Sequence, residues 1–109
     1  MIDWAKVEEL RDEIGADDFD EVVQIFLCEV EERVEQLSSH KALTEIEEDL
    51  HFLKGSALNL GFTAFASLCH EGERIAQSDQ MVANLKDIEN GFLESKGWFL
   101  AEFAKRAMA

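Results

Sequence analysis

Apolar residues recur three and four positions apart over most of the chain, the spacing that places side chains on one face of an α-helix. The first such run extends from about Asp3 to Ile14, with Asp3 as its predicted N-cap and Gly15 as its predicted stop. The second run begins near Asp17 or Asp18, and acidic residues fill its outer face. Its apolar stripe consists of Phe19, Val22, Val23, Phe26, Val30, Val34 and Leu37.

Three further helices follow after short polar breaks. The third is predicted to begin at Thr44, in a capping box with Glu47, or slightly earlier, and to end at Gly61. The fourth is predicted to extend to about Gln77 with Thr63 as its cap, and the fifth is predicted from about Met81 to Lys105. Their apolar positions are Ile46, Leu50, Leu53, Ala57 and Leu60, then Phe65, Leu68, Cys69 and Ile75, then Leu85, Ile88, Phe92, Phe99 and Phe103. Four long amphipathic helices joined by short breaks predict an all-α fold, an antiparallel up-down four-helix bundle with the short additional N-terminal helix covering one end.

The composition agrees with this fold class and bounds the domain count. The 109 residues contain no Pro and only six Gly, so the strongest helix breakers are absent or rare. No internal repeat or Pro/Ser-rich linker divides the chain, and its length suits one compact core. We therefore expect residues 1–109 to form a single domain.

The charge balance narrows the classes of partner. Ten Lys and Arg against 24 Asp and Glu give a net charge of −14, which repels phosphate backbones and anionic lipids. A hydrophobic content of 47% excludes a disordered acidic tail. No segment approaches the roughly 20 apolar residues of a membrane span, and the first ten residues are too charged for a secretory signal. Cys28 and Cys69 form no Cys-x-x-Cys pair, so both are expected to be buried hydrophobes in a cytoplasmic protein.

The segment from His51 to Gly61 differs from ordinary bundle sequence. Residues three and four apart share a helix face, so His51 is predicted to lie beside Lys54 and Gly55 at the edge of the core, within reach of solvent. Glycine inside a helix is unfavourable by about 0.5–1 kcal/mol relative to Ala, so Gly55 suggests that something bulky must approach the imidazole ring. Lys54 would supply a positive charge for an incoming phosphoryl group.

The run His-Phe-Leu-Lys-Gly-Ser-Ala-Leu-Asn-Leu-Gly, followed by Leu68, Cys69 and Glu73, resembles the histidine-containing phosphotransfer (HPt) domain of bacterial and fungal phosphorelays. The resemblance implies that His51 accepts the phosphoryl group, that Lys54 stabilises the phosphate and that Gly55 keeps the ring accessible. It also implies that Glu73 hydrogen-bonds the other ring nitrogen. Exposed apolar side chains near the end of the same helix would dock a partner, and Leu58 and Phe62 are the candidates.

A phosphocarrier of this kind is not a kinase. The sequence has no P-loop, no Gly-rich nucleotide loop and no carboxylate cluster suited to Mg²⁺, so no cofactor of its own is expected and Mg²⁺ is expected on the partner. The expected partners are response-regulator receiver domains and a hybrid histidine kinase acting in trans, because the chain shows no kinase or receiver segment. We expect a free monomer, although a dimer through an exposed apolar face stays open.

Three other interpretations of His51 compete with phosphotransfer. The first is a surface histidine without a role, the interpretation also favoured for His40 and His70. The second is a metal-binding bundle, since Glu48-x-x-His51 has the Glu-x-x-His spacing of di-iron proteins; those sites require two such motifs. The third is an adaptor that docks a response regulator without accepting phosphate. The company of Lys54, Gly55, Gly61 and Glu73 around His51 favours phosphotransfer over all three.

Overall fold

The computed structural model describes residues 2–37, 39, 42–78 and 85–108, with side chains up to residue 105. It contains five α-helices, so the predicted all-α class is confirmed. The helices are α1 (Trp4–Ile14), α2 (Ala16–Leu37), α3 (Leu43–Asn59), α4 (Thr63–Gln77) and α5 (Leu85–Met108). The predicted start of the fifth helix at Met81 lies outside the described residues, as does His40.

Helices α2 to α5 form a closed ring of neighbours around one core. Helix α2 packs on α3 and α5, and α4 packs on the same two helices, while the backbones of the diagonal pairs stay apart within the described part of the chain. Each helix packs on the one that follows it after a short connection, which makes consecutive helices antiparallel. Helix α1 packs against α2 and α3. The result is the helical bundle predicted from the sequence, about 47 Å long and 21 Å wide.

The core contains most of the predicted apolar stripes. In α2 five of the seven predicted positions are buried, and Val22 and Phe26 are partly buried. The prediction missed Leu27, which is buried. Cys28 was expected to be buried and is exposed, since it projects about 100° away from its buried neighbour Leu27. The buried apolar residues of α3 are the predicted Ile46, Leu50, Leu53 and Ala57, with Leu60 just beyond the helix end.

The N-terminal segment is fastened to the turn between α3 and α4. The carboxylate of Asp3 accepts a hydrogen bond from the backbone N–H of Lys6, as predicted for an N-cap, and the Asp3 N–H donates to the Gly61 carbonyl at 2.7 Å. Gly61 adopts a φ of 76°, and a Cβ built there would clash with the Asp3 carbonyl oxygen. Ile2 forms an isolated antiparallel bridge with Phe62. Gly61 is therefore required by both its backbone conformation and this close approach.

Phe62 belongs to an aromatic cluster at this end of the bundle. It is fully buried, and its ring centroid lies 5.3 Å from that of Phe99, which in turn stacks on Trp4 at 5.4 Å. The sequence-based assignment of Phe62 to a docking surface is therefore wrong. The short turn after α3 directs its ring inward toward α5, so a partner cannot reach it.

Two predicted helix caps are also wrong. Helix α3 begins at Leu43 after Ala42, which makes no side-chain capping bond, and Thr44 lies inside the helix. Helix α4 begins at Thr63 itself, with Phe62 in the N-cap position. The predicted end at Gln77 is confirmed.

Candidate functional site

His51 projects from α3 into solvent. Its neighbour Leu50 and the following Leu53 are completely buried and fix the rotation of the helix about its axis. Successive residues of an α-helix point about 100° apart, so anchoring Leu50 in the core turns His51 outward. Its side chain is 72% exposed.

The carboxylate of Glu73 holds one nitrogen of this ring. Glu73 lies on α4 and its side chain is only 8% exposed, yet its Oε2 is 3.1 Å from Nδ1 of His51 and its Oε1 is 3.3 Å away. An ionised carboxylate only accepts hydrogen bonds, so Nδ1 must donate, and the neutral ring then carries its lone pair on Nε2. Within the described residues Nε2 has no recorded hydrogen-bond partner. The ring therefore presents an unprotonated nitrogen away from the bundle.

Lys54 forms an ion pair with the same carboxylate. Its Nζ donates to Oε1 of Glu73 at 3.2 Å, and its side chain is 22% exposed. The Nε2 of Gln77, one turn further along α4, is 3.5 Å from the same oxygen. The sequence suggested Lys54 as a partner for phosphate, whereas in this structure its ammonium neutralises Glu73. The carboxylate thus receives donors from His51, Lys54 and Gln77.

Cys69 is a buried thiol that interacts electrostatically with Glu73 and Lys54. Burial and, to a smaller extent, the negative charge of Glu73 raise the pKa of the Cys69 thiol to about 12, with the Lys54 ammonium partly opposing the increase. A thiol that stays protonated near neutral pH is neither a nucleophile nor a metal ligand. Cys69 therefore supports the site as a packed side chain.

The surface around His51 is open on the side of Gly55. A Cβ built on Gly55 would meet nothing within 4 Å. Leu58 lies seven residues after His51, two helical turns along the same face, and is 51% exposed. Of the two predicted docking residues, only Leu58 is thus on the surface beside the histidine.

A second ion pair, missed at the sequence level, links α2 to the histidine helix. Nη1 of Arg33 donates to Oδ1 of the buried Asp49 at 3.0 Å, and the Arg33 guanidinium lies 4.3 Å from the ring centroid of Phe52. Asp49 could have signalled this pair, because it is three residues after Ile46 and therefore lies on the buried face. An acid on such a face requires a cationic or hydrogen-bonding partner.

The metal-binding interpretation receives no geometric support. Within the described ranges, no group of three or more His, Cys, Asp or Glu side chains comes together. Glu48 and His70 are both exposed. Nor is any described helix sufficiently long and apolar to traverse a bilayer.

Comparison with known proteins places this chain in a family. Residues 21–106 match the family model described as the Hpt domain. The chain is also 31% identical over 104 residues to the phosphorelay intermediate protein YPD1 of Candida albicans, a match that covers 89% of this chain and 53% of the relative. The chain thus spans about half the length of that relative. No solved structure matches significantly.

Proposed function

The chain belongs to the Hpt domain family, and on that premise we propose that it carries a phosphoryl group on His51 between aspartates of response-regulator receiver domains in a multistep phosphorelay. The observation that supports this most directly is the contact between Nδ1 of His51 and the buried Glu73, which leaves Nε2 free on an exposed ring. The named function of the relative, a phosphorelay intermediate, agrees with it.

The proposed transfer requires no proton movement. The Nε2 lone pair attacks the phosphorus of an aspartyl phosphate, the N–P bond forms, and the P–O bond to the receiver breaks to release its carboxylate. The imidazole ring becomes a cation that keeps its proton on Nδ1, where the charge of Glu73 stabilises it. The reverse reaction returns the lone pair to Nε2, so the same residues support flow in either direction.

Lys54 has a different proposed role in each state. In the unloaded site its ammonium is on Glu73. When the His51 ring becomes positively charged, it offsets the charge of Glu73 by itself. The anionic phosphoryl oxygens then lack a cationic partner. We assign Lys54 to those oxygens in the loaded state, since it lies one helical turn from His51. Glu47 and Glu48 oppose this anion with about 0.8 kcal/mol each at 5 Å in a water-like dielectric, which tunes the transfer without preventing it.

The partners supply the rest of the catalysis. Phosphoryl transfer depends mainly on positioning and charge stabilisation, so a receiver with bound Mg²⁺ can provide the metal while this chain provides the acceptor nitrogen. We assign receiver domains and a hybrid histidine kinase as partners in trans, with Leu58 as a docking residue beside His51. The chain acts as a phosphocarrier with no kinase activity of its own, and we assign it to the cytoplasm.

The test is transfer from a radiolabelled phospho-receiver in the presence of Mg²⁺. The wild-type chain is expected to acquire an acid-labile, alkali-stable label, and His51→Gln is expected to acquire none. His70→Gln is the matched control, because His70 is an exposed histidine on the neighbouring helix and its loss should leave labelling unchanged. Absence of label on the wild type with every receiver of the host would overturn the proposal.

A further inference from the structure

One oxygen of the Glu73 carboxylate receives two side-chain donors in addition to the imidazole ring. Its Oε1 accepts from Nζ of Lys54 at 3.2 Å and lies 3.5 Å from Nε2 of Gln77, whereas Oε2 is the oxygen nearer to Nδ1 of His51. In the proposed loaded state Lys54 moves to the phosphoryl oxygens. The Oε1 atom then loses its closest donor.

A carboxylate oxygen that loses a donor in this place opposes loading. The Glu73 side chain is only 8% exposed, so water has little access to it. A buried acceptor without a donor carries a desolvation penalty, which is larger for a charged group. A penalty that falls on the loaded state alone lowers the yield of phosphorylated His51. The loaded state therefore needs a donor that stays on Oε1 when Lys54 leaves.

Gln77 meets this need by its position. It lies four residues after Glu73 on α4, so the two side chains share a face of one helix and their contact does not depend on α3. Because a carboxylate only accepts, the amide must present its N–H to Oε1. A distance of 3.5 Å is long for this hydrogen bond while Lys54 occupies the same oxygen. Gln77 is exposed, so its side chain has room to move closer once Lys54 leaves.

Gln77 also meets this need by its charge. In the proposed loaded state the cationic ring of His51 already offsets the charge of Glu73. An amide satisfies Oε1 without adding a second positive charge beside the ring. The ammonium of Lys54 is then available to the phosphoryl group, which carries about two negative charges.

We propose that Gln77 is a positioning residue that holds Oε1 of Glu73 in the loaded state and so allows Lys54 to exchange the carboxylate for the phosphoryl oxygens. This inference rests on the proposed function and adds to it the group that keeps the carboxylate on the ring. Gln77 acts through Glu73 and does not touch the phosphoryl group. It therefore controls the balance between loaded and unloaded chains, which is measured as the equilibrium yield of label on His51.

Equilibration of the full chain with a radiolabelled phospho-receiver and Mg²⁺ at neutral pH tests the proposal. Gln77→Ala is expected to lower the yield of labelled chain by about 3- to 10-fold, the effect of one hydrogen bond. Gln77→Glu keeps the shape of the side chain, removes the N–H donor and adds a negative charge, so it should lower the yield at least as much. Gln36→Ala removes an exposed glutamine near the end of α2, and this matched control should label like the wild type.

The same substitution in a Lys54→Ala background separates positioning from structural support. Without Lys54, Gln77 is the remaining side-chain donor to Oε1 besides the ring in both the loaded and the unloaded state, so its removal costs both states equally. The double variant Lys54→Ala, Gln77→Ala is therefore expected to reach the yield of Lys54→Ala alone. A side chain that only supported the fold would lower the yield by the same factor in both backgrounds.

Circular dichroism verifies that each variant keeps its helices. The role of Gln77 is overturned, and the phosphocarrier function stands, if the wild type is labelled on His51 and Gln77→Ala reaches the same yield. An equal loss from Gln77→Ala in the wild-type and Lys54→Ala backgrounds, or an equal loss in Gln36→Ala, also overturns it. A wild-type chain that acquires no label from any receiver of the host overturns the proposed function and this inference together.

Discussion

Glu73 is a buried carboxylate that positions an exposed imidazole: its Oε2 lies 3.1 Å from Nδ1 of His51, although the two side chains are 8% and 72% exposed. The two residues lie on different helices, so the contact depends on the packing of α3 against α4. Burial limits water access to the carboxylate, and a hydrogen bond to an ionised group is stronger when it is sheltered. Substitutions that weaken this contact are therefore expected to slow phosphoryl transfer to His51.

Replacing Glu73 by Gln is expected to slow labelling of His51 by about 10- to 100-fold, because charge-assisted hydrogen bonds contribute roughly 1.5–3 kcal/mol. The amide keeps an acceptor oxygen for Nδ1 but loses the negative charge that stabilises the cationic ring. The initial rate of transfer from a labelled receiver measures the effect. Glu71→Gln is the control, since Glu71 is an exposed carboxylate of α4 paired with Arg74. A Glu73→Gln rate equal to wild type would disprove the role of the charge.

Replacing Lys54 by Ala is expected to lower the rate and yield of labelling by about 10-fold, the effect of one charge-assisted contact of about 1.5 kcal/mol. Lys54→Arg keeps the charge and should retain most of the activity. Because Lys54 and Glu73 share one network, the double variant Lys54→Ala, Glu73→Gln should lose less than the product of the two single losses. Strictly multiplicative losses in this cycle would show that the ion pair has no part in transfer.

Substitutions at Gly55 are expected to separate stability from transfer. Gly55→Ala should raise the free energy of unfolding by about 0.5–1 kcal/mol, since the position is helical and its Cβ direction is open. Transfer should nevertheless slow, and it should slow further in Gly55→Leu, because each added atom stands where the receiver approaches the ring. Chemical denaturation and the labelling rate measure the two effects. Unchanged transfer in Gly55→Leu would contradict the assigned access role.

Gly61→Ala is expected to have the opposite effect on stability. The φ of 76° is unfavourable for Ala by about 1–2 kcal/mol, and its Cβ would clash with the carbonyl of Asp3, so a loss above about 2 kcal/mol is expected. The midpoint of urea unfolding measures it, with Gly55→Ala as the reference that shifts in the other direction. If both variants moved the midpoint alike, the close approach at Gly61 would not be a stabilising feature.

The raised pKa of Cys69 predicts a loss of stability at alkaline pH. The pKa of the thiol is about 9.0 in the unfolded chain, whereas burial raises the pKa of the folded one to about 12. Between these values the unfolded state binds fewer protons, so the free energy of unfolding falls as pH rises, by up to about 1.4 kcal/mol per pH unit. Cys69→Ala should show a shallower fall than wild type. Cys28→Ala should keep the wild-type slope because Cys28 is exposed, and equal slopes in all three proteins would refute the assignment.

The helices and their buried faces were predictable because one pattern, apolar residues three and four positions apart, indicates both the helix and the face that it buries. Leu50 and Leu53 lie in the predicted stripe and are completely buried. The Asp3 cap was predictable, whereas the Thr44 cap was not, since Thr44 satisfies the capping-box spacing while the backbone starts the helix one residue earlier. Phe62 follows the turn at Gly61, and the spacing of apolar residues does not indicate which way a side chain points after a turn. It was therefore wrongly assigned to the surface.

The chemistry of the site was only partly predictable for the same reason. The pairing of His51 with Glu73 follows from the motif, and the structure places the two side chains together. The unloaded position of Lys54 does not follow from spacing, because a long side chain reaches several acceptors and the nearest is decided by how α3 and α4 pack. The place of Asp49 on the buried face signals that it needs a partner, but identifying that partner as Arg33, 16 positions away, required the structure.

The ion pair between Lys54 and Glu73 has a consequence for how a loaded copy is distinguished from an empty one. With the ring in the neutral form that attack on phosphorus requires, the empty site has no net charge, because the Glu73 carboxylate is offset by the Lys54 ammonium. In the proposed loaded state a cationic ring offsets one of the two charges of the phosphoryl group, so loading changes the net charge by a single unit on a background of −14. At distances beyond a Debye length, loaded and empty copies therefore attract a receiver almost equally. A receiver must therefore distinguish the two forms after it has bound, through contacts within a few ångströms of His51. Empty copies compete with loaded ones for the same receivers.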